Sequence, residues 1–288
     1  MLVISHALRQ QPAMRLLVDL LRREFRRPSR QREWQKKSAP FVHEARDGLR
    51  FRLFPPEYID SQIFIEGIYE LHLLRFLRKR ERGGVMLDVG ANIGNHALYL
   101  APNFDEIHCF EPNPVALERL RENVALNRST LHIHPIGLGA ADAELEFHAN
   151  TSGNLGGSSF ARTDFPVSSI LPVRRGDAYL ASHGIEGIDL IKIDVEGFEA
   201  EVLAGLVETI KRERPVIIFE YDGRTNAEAE FDRFSAALPG YRFAEFTAAP
   251  GKGFGRWWGI LRRGGEATIV PMERPAARYY EAIFALPN

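Results

Sequence analysis

A glycine turn between an apolar strand and a helix is the first part of the sequence that could do chemistry. The apolar run Val85 to Val89 is followed by Gly90 and Gly94, in the spacing G-x-x-x-G. Gly90 allows a tight turn, and Gly94 lets the helix approach the strand and a ligand closely. Glu111 ends the next apolar run, 21 residues after Gly90, where a carboxylate can accept hydrogen bonds from both ribose hydroxyls. The pattern predicts a cofactor that contains a nucleoside.

Three details favour S-adenosylmethionine over a dinucleotide at this turn. The glycines lack the G-x-G-x-x-G spacing that binds a pyrophosphate. Asp88 precedes the turn, where its charge would oppose a diphosphate but suits a ligand that carries an ammonium and a sulfonium. Between Asp88 and Asn103 there is no Lys or Arg, and His96 is expected to be neutral. One alternative is a nicotinamide-dependent dehydrogenase or epimerase, but none of the eight tyrosines has a lysine four residues later. The other alternative is a non-catalytic adaptor that binds S-adenosylmethionine.

A second group of polar residues lies where two further apolar strands end. Lys192 and Asp194 alternate on the strand Ile188 to Ile193, so they share one face. Glu220 follows the strand Val216 to Phe219. Ligands of open α/β sheets bind outside the carboxyl ends of strands, so we expect these residues to converge, with two further acids, Glu196 and Asp222.

The two strands should be neighbours, because the helix between them makes a right-handed crossover. Asp194 and Glu220 would then share a proton, bind a cation or form a salt bridge with Lys192. Mg²⁺ or Ca²⁺ would suit oxygen ligands best. A divalent metal is possible, but a metal-free base is favoured because the sequence offers no third clear ligand. Asp194, Lys192 and Glu220 are therefore the candidate catalytic residues.

Two motifs resemble those of the FkbM-type methyltransferases: Asp88 to Gly94 and Ile188 to Gly197, within a similarity that runs from about Ile63 to Asp222. The resemblance implies a class I methyltransferase fold, S-adenosylmethionine as methyl donor, and O-methylation of a sugar-like, polysaccharide-precursor or natural-product hydroxyl. It also implies cofactor contacts, with the methionine half near Asp88, Gly90, Asn92 and Gly94, the ribose near Glu111 and the adenine near Leu138. Asn95, Asn113 and Glu70 complete the candidate cofactor residues.

Strands that alternate with helices predict a doubly wound α/β domain over residues 83–288. By the same resemblance its sheet has seven strands and ends in an antiparallel hairpin, Tyr241 to Phe246 with Arg256 to Leu261. Leu131 to Leu138 is predicted as one strand and Gly197 to Arg212 as one helix. Residues 38–82 form an accessory element, with a hairpin around Asp47-Gly48 and a helix over 63–80. The Gly/Ser-rich loop 151–159 is a candidate lid over the acceptor.

Charge and composition limit the partners. The chain of 288 residues has a net charge of -1, which gives no reason to expect nucleic acid. One cysteine fits a reducing compartment, and no segment is apolar enough to span a membrane, so a cytoplasmic location is expected. Residues 1–37 carry a net +7, from ten basic against three acidic residues. The predicted amphipathic helix 12–27, followed by a linker over 29–40, could contact an anionic membrane or pack on its own domain or a dimer mate.

Overall fold

The computed structural model describes residues 27–161, 164–224, 227–247 and 267–288. Almost all of the predicted N-terminal helix 12–27 lies outside these ranges, and the predicted strand Arg256 to Leu261 lies wholly outside them. Membrane contact through that helix therefore stays a prediction. None of the helices in the described ranges has both the length and the apolar composition of a membrane span.

The described residues form thirteen strands and nine helices longer than one 3₁₀ turn. In chain order they are α1 (described over 27–34), β1 (Phe41–Glu44), β2 (Arg50–Leu53), α2 (Tyr58–Glu66), α3 (Leu71–Arg80), β3 (Val85–Val89), α4 (Asn95–Leu100), β4 (Glu106–Phe110), α5 (Pro114–Asn127), β5 (His132–His134), β6 (Gly137–Gly139), β7 (Ala143–His148), β8 (Val167–Arg175), α6 (Gly176–Ser182), β9 (Ile188–Ile193), α7 (Glu199–Gly205), α8 (Val207–Glu213), β10 (Val216–Asp222), α9 (Ala227–Ala237), β11 (Tyr241–Thr247), β12 (Thr268–Met272) and β13 (Tyr279–Pro287).

The main sheet has the strand order β12-β11-β13-β10-β9-β3-β4-β5. From β10 to β5 the strands are parallel. Successive residues of a strand point to opposite faces, so Met86 joins one apolar cluster and Leu87 the other. Helices α2 to α5 cover the first face, and α6 to α9 cover the second. The doubly wound α/β prediction is confirmed.

The antiparallel end of the sheet differs from the prediction. Strand β13 lies between β10 and β11 and is antiparallel to both. Strand β12 pairs with the outer edge of β11, so the described sheet has eight strands rather than seven. The prediction paired β11 with the nearest apolar run in the sequence, whereas its partners within the described residues come from the C-terminal segment.

Two predicted elements are divided. The run from Leu131 to Leu138 contributes β5 to the main sheet and then, after Pro135, β6 to a separate three-stranded sheet of order β6-β8-β7. Proline has no N–H for a ladder hydrogen bond, which favours this break. The predicted helix Gly197 to Arg212 begins at Glu199 and is interrupted at Leu206.

The accessory region keeps the predicted hairpin but not the single helix or the linker. Asp47 and Gly48 have φ values of 56° and 78° in the β1–β2 connection. The helix predicted over 63–80 becomes α2 and α3, because Gly67 and Glu70 both take positive φ values. Part of the predicted linker is helical, as residues 27–34 show. Trp34 at its end is buried against other aromatic rings, and this tertiary contact explains the difference.

Candidate functional site

A cavity of about 300 Å³ opens at the carboxyl ends of the parallel strands. Its wall combines the glycine turn after β3, the ends of β4, β9 and β10, strand β6 and parts of the loop 151–159. The lining residues include Gly90, Asn92, Asn95, His96, Glu111, Asn113, Leu138, Asn154, Leu155, Lys192, Asp194, Glu196, Glu220 and Tyr279. Most of the site residues predicted from sequence therefore meet in one place.

The glycine turn touches the chain that leaves β9. Gly90 has a φ of 82°, and a Cβ at this position would lie 1.9 Å from the carbonyl oxygen of Asp194. The N–H of Asp194 donates to the carbonyl oxygen of Val89 at 3.0 Å. Gly94 does not line the cavity; it caps α4 at a φ of 85°, and a Cβ there would meet Leu120 of α5 at 2.6 Å. Gly90 thus joins the two predicted motifs, and Gly94 packs the helix.

Glu111 is held by backbone donors on both oxygens. The N–H of Asn92 donates to Oε2 at 2.8 Å, and the N–H of Asn113 donates to Oε1 at 2.9 Å. The side chain is buried at the cavity wall, and burial raises its pKa to about 7. The side chain of Asn113 caps α5 by accepting from the N–H of Val115 at 3.0 Å. This arrangement fixes a carboxylate where two ribose hydroxyls could donate to it.

The wall near β4 and β6 is apolar. Phe110 ends β4 and Leu138 is buried in β6, and Phe147 of β7 lies beside them. This apolar wall can hold a flat aromatic base.

Asn95 holds the Tyr69 segment against the cavity through two hydrogen bonds. Its Oδ1 accepts from the N–H of Tyr69 at 3.1 Å, and its Nδ2 donates to the carbonyl oxygen of Tyr69 at 3.0 Å.

Asp88 lies beneath the cavity rather than on its wall. Its side chain is fully buried, and its Oδ1 is 3.4 Å from Nζ of Lys192. The same Nζ donates to Oδ2 of Asp194 at 3.2 Å. Burial opposes the charge of Lys192, but Asp194 and Asp88 outweigh it and raise the pKa of the ammonium above its usual value. Lys192 therefore carries its charge between a buried and a cavity-facing carboxylate.

Asp194 and Glu220 form a hydrogen-bonded pair of acids at the ends of adjacent parallel strands. Burial raises the pKa of Glu220 to about 10, together with the nearby charges of Asp194 and Glu196. Burial also acts to raise the pKa of Asp194, but Lys192 and the hydrogen bond from Glu220 hold it below its usual value. At neutral pH the pair therefore holds one proton, on Glu220, and Asp194 is ionised.

Glu196 supplies the third oxygen ligand that the sequence did not make evident. One oxygen each from Asp194, Glu196 and Glu220 lie within 4.8 Å of one another, a set that could hold a hard divalent ion. The Lys192 ammonium, in contact with Asp194, already supplies positive charge at this point. The arrangement therefore offers these acids two uses, as a pair beside the Lys192 ammonium or as ligands to an ion.

Two acids singled out in the sequence lie away from this cavity. The carboxylate of Glu70 accepts a hydrogen bond through Oε2 from Nε2 of His96 at 2.8 Å. It lines an adjacent cavity of about 310 Å³. Asp222 binds Nε of Arg224 at 2.7 Å. Both acids were assigned to the site because they lie close to its motifs in the sequence. Proximity in the sequence does not determine which way a side chain points.

Three tyrosines that the sequence analysis did not place at the site line the cavity. Tyr69 comes from the segment between α2 and α3, Tyr58 begins α2, and Tyr279 begins β13. Tyr279 makes a side-chain hydrogen bond with Glu220, and its Cα is paired with that of Asp222 across β10 and β13. The three tyrosines also line the adjacent cavity. No local pattern could identify them, because each is brought to the site by a distant part of the chain.

The loop 151–159 covers part of the cavity and is tied on both sides. Its Leu155 N–H donates to Oε2 of Glu57 at 2.8 Å, and its Gly153 carbonyl oxygen accepts from the N–H of Tyr58 at 2.8 Å. Ser159 donates through Oγ to the carbonyl oxygen of Glu196 at 2.7 Å. The loop therefore connects the accessory region to the chain that follows β9; whether it opens as a lid stays a prediction.

The cavity fits S-adenosylmethionine better than a dinucleotide. Within the described chain, Oδ1 of Asn92 is buried at the wall with no hydrogen-bond partner, so an acceptor is available for an ammonium. Glu111 offers a carboxylate for ribose hydroxyls. Among the described lining residues, Lys192 and His96 are the only basic side chains, and both contact carboxylates. No cationic group there is available for a pyrophosphate.

Comparison with known proteins assigns the chain to a family. The model of the methyltransferase FkbM domain matches residues 88–265. The 2-O-methyltransferase NoeI of Sinorhizobium fredii is 34% identical over 167 residues, with 51% of this chain and 66% of that protein covered. The hexuronic acid methyltransferase AglP of Haloferax volcanii is 28% identical, with coverage of 54% and 66%.

A third relative is the 31-O-demethyl-FK506 methyltransferase FkbM of Streptomyces tacrolimicus, 29% identical over 181 residues, with 52% of this chain and 68% of that protein covered. The chain spans just under two thirds of the length of the first two relatives. The family match includes the glycine turn, Glu111 and the acid pair of the cavity. This chain therefore belongs to the FkbM methyltransferase family.

Proposed function

We propose that this protein transfers a methyl group from S-adenosylmethionine to a hydroxyl oxygen of a sugar-like, polysaccharide-precursor or natural-product acceptor. The observation that carries the proposal is the Asp194–Glu220 pair, which lies on one side of the glycine turn while Glu111 lies on the other. NoeI is named as a 2-O-methyltransferase, and FkbM is named for a 31-O-demethyl substrate. AglP is named as a hexuronic acid methyltransferase. These names support a hydroxyl on a polar small molecule or glycan.

The cofactor would occupy the part of the cavity between the turn and β6. Glu111 would accept hydrogen bonds from the ribose hydroxyls, and Leu138 and Phe110 would pack against the adenine. Asn92 would accept from the ammonium of the methionine half through its buried Oδ1. When bound, S-adenosylmethionine supplies a methyl group activated by a sulfonium. The residues would hold that methyl group at the mouth of the glycine turn.

Asp194 would accept the proton of the acceptor hydroxyl. A hydroxyl proton becomes much more acidic as its oxygen bonds to carbon, so a carboxylate with a low pKa can receive it as the transfer proceeds. Lys192 keeps Asp194 ionised, and the proton on Glu220 donates a hydrogen bond that orients it. Alignment of the hydroxyl with the methyl group would supply most of the rate, since orientation can contribute about 7–11 kcal/mol.

Two alternatives make different predictions. A nicotinamide-dependent dehydrogenase or epimerase would bind NAD, and a non-catalytic adaptor would bind S-adenosylmethionine without turnover. Calorimetry with S-adenosylmethionine, S-adenosylhomocysteine and NAD distinguishes a methyltransferase from the nicotinamide-dependent enzyme. Incubation with S-adenosylmethionine and a panel of glycosides and natural-product alcohols, read by mass spectrometry for O-methylated product, separates the second.

The proposal predicts binding of both adenosyl compounds, no binding of NAD, and equal amounts of methylated acceptor and S-adenosylhomocysteine. Tight NAD binding with no response to S-adenosylmethionine would contradict it. Cofactor binding without any methylated product across a broad panel would favour the adaptor.

A further inference from the structure

A cluster of histidines lies at the edge of the main sheet, away from the catalytic acids. His108 of β4 and His132 of β5 are Cα partners in adjacent parallel strands, and their rings stack with centroids 4.7 Å apart. Glu106 begins β4, and its Oε2 is 3.3 Å from Nε2 of His108 and 3.9 Å from Nε2 of His132. One ligand atom from each of the three residues lies within 4.8 Å of the others.

We propose that Glu106, His108 and His132 bind a zinc ion. Two imidazole nitrogens and one carboxylate oxygen form a three-residue set that zinc accepts, with water as the fourth ligand. Mg²⁺ and Ca²⁺ prefer sites built from oxygen atoms, and this cluster has a single carboxylate. Glu106 and His132 have side chains that are 54% and 52% exposed, so an ion and its water can reach the site from solvent.

A hydrogen-bonded chain behind His108 supports this assignment. Nδ1 of His108 is 3.0 Å from Nε2 of His134, and Nδ1 of His134 is 3.0 Å from the hydroxyl oxygen of Tyr179. If each Nδ1 carries the proton and donates along this chain, Nε2 of His108 keeps a free lone pair toward Glu106. Ligating histidines in proteins commonly donate their other nitrogen in this way, which fixes the ring.

The site lies apart from the proposed methyl-transfer centre. Glu106 is the first residue of β4 and Glu111 follows the last, so the two acids are at opposite ends of the strand. Strand β5 has three residues and is the edge of the sheet. An ion held by β4 and β5 would fasten this short edge strand, and we expect it to stabilise the fold without entering the reaction.

Titration of the tag-free full chain with ZnCl₂ by calorimetry, after removal of metal with a chelator, tests the proposal. We expect one ion per chain with a dissociation constant in the micromolar range or below. His132→Ala and Glu106→Gln change exposed side chains, and each should weaken zinc binding by at least about tenfold. His183→Ala is the matched control, because His183 stacks on Tyr179 without belonging to the three ligands.

Thermal unfolding with and without zinc gives a second test. Zinc should raise the midpoint of the wild-type chain and of His183→Ala, and have little effect on His132→Ala. Absence of zinc binding by the wild-type chain would overturn the proposal. Zinc binding that survives in both His132→Ala and Glu106→Gln would also overturn the proposal. If Glu196→Gln then lost zinc binding, the ion would belong to the acids of the cavity.

Discussion

Asp88 and Lys192 are Cα partners across β3 and β9, and Nζ of the lysine lies 3.4 Å from Oδ1 of the aspartate. Asp88 is fully buried, and neither of its oxygens has a hydrogen-bond partner within the described ranges. The ion pair is therefore the main compensation for burying that charge. From its place before the glycine turn, the sequence analysis expected Asp88 to contact the cofactor. Its position instead makes it the support for Lys192, which in turn contacts Asp194.

Replacement of Lys192 by methionine should destabilise the fold. The substitution leaves the Asp88 carboxylate buried without an opposite charge, and breaking a buried ion pair in this way costs about 3–5 kcal/mol. Urea unfolding should show the loss. The double variant Asp88→Asn with Lys192→Met should recover part of the lost stability, because the buried, unpaired carboxylate of Asp88 is then removed. A single variant as stable as the wild type would show that the pair contributes little.

The proton on Glu220 predicts an alkaline limit to activity. Burial and the adjacent Asp194 raise the pKa of Glu220 to about 10, so Glu220 keeps its proton at neutral pH and loses it as the pH rises through that value. A second negative charge beside Asp194 would then remove the orienting hydrogen bond. We expect kcat to fall above about pH 10.

Glu220→Gln keeps a neutral donor in the same place and cannot ionise. At about pH 7.5 this variant should keep its activity to within a few-fold of the wild type. Its kcat should no longer fall at alkaline pH. Glu220→Ala, which has no donor, should be slower at all pH values. An unchanged alkaline limb in Glu220→Gln would mean that another group titrates there.

Cofactor affinity should depend on pH through Glu111. Burial raises the pKa of Glu111 to about 7, and ribose hydroxyls donate to the ionised form. Binding therefore releases a proton below that pH, so affinity for S-adenosylhomocysteine should rise about tenfold per unit as the pH approaches 7 and then level off. Calorimetry between pH 5.5 and 8.5, roughly the range that brackets this pKa, would measure it.

Glu111→Gln provides the control, because its side chain does not titrate. It should bind S-adenosylhomocysteine more weakly by about 1.5–3 kcal/mol, with an affinity that is nearly independent of pH. A wild-type affinity without pH dependence would remove Glu111 as the ribose ligand.

Gly90→Ala should disrupt the cavity through one contact. A Cβ at Gly90 would lie 1.9 Å from the carbonyl oxygen of Asp194, whereas a Cβ at Gly48 would meet nothing within 4 Å. Both glycines have similar positive φ values, 82° and 78°, so both variants carry the same backbone strain of about 1–2 kcal/mol. Gly90→Ala should lose cofactor binding in calorimetry, and Gly48→Ala should keep it. Equal binding by the two variants would contradict the close approach.

Features that depend on local sequence and on chain topology could be predicted. The glycine turn, Glu111 and the pair Asp194–Glu220 follow from strands that end in polar residues and from the right-handed crossover rule. These rules place the carboxyl ends of parallel strands together. The shared proton of the acid pair was one of three outcomes considered, and the contact with Lys192 was another; both occur together.

Features that depend on contacts between distant segments could not be predicted. Tyr279 reaches the cavity only because β13 inserts between β10 and β11, and nothing in residues 279–287 indicates that pairing. The side chain of Glu70 turns toward His96 because Glu70 itself takes a positive φ of 53°. A single sequence shows neither the direction of a side chain before a helix nor the partner of a strand beyond a long connection.

Replacement of Asp194 by asparagine tests the central claim most directly. The variant keeps the size of the side chain but cannot accept the hydroxyl proton. Glu111, Asn92 and Leu138, the proposed cofactor contacts, are unaltered. We predict an affinity for S-adenosylhomocysteine close to that of the wild type and a turnover lower by about 10²–10⁴-fold, with both measured on the same preparation and acceptor. A variant with wild-type turnover would contradict the account, because Asp194 would then have no part in the transfer.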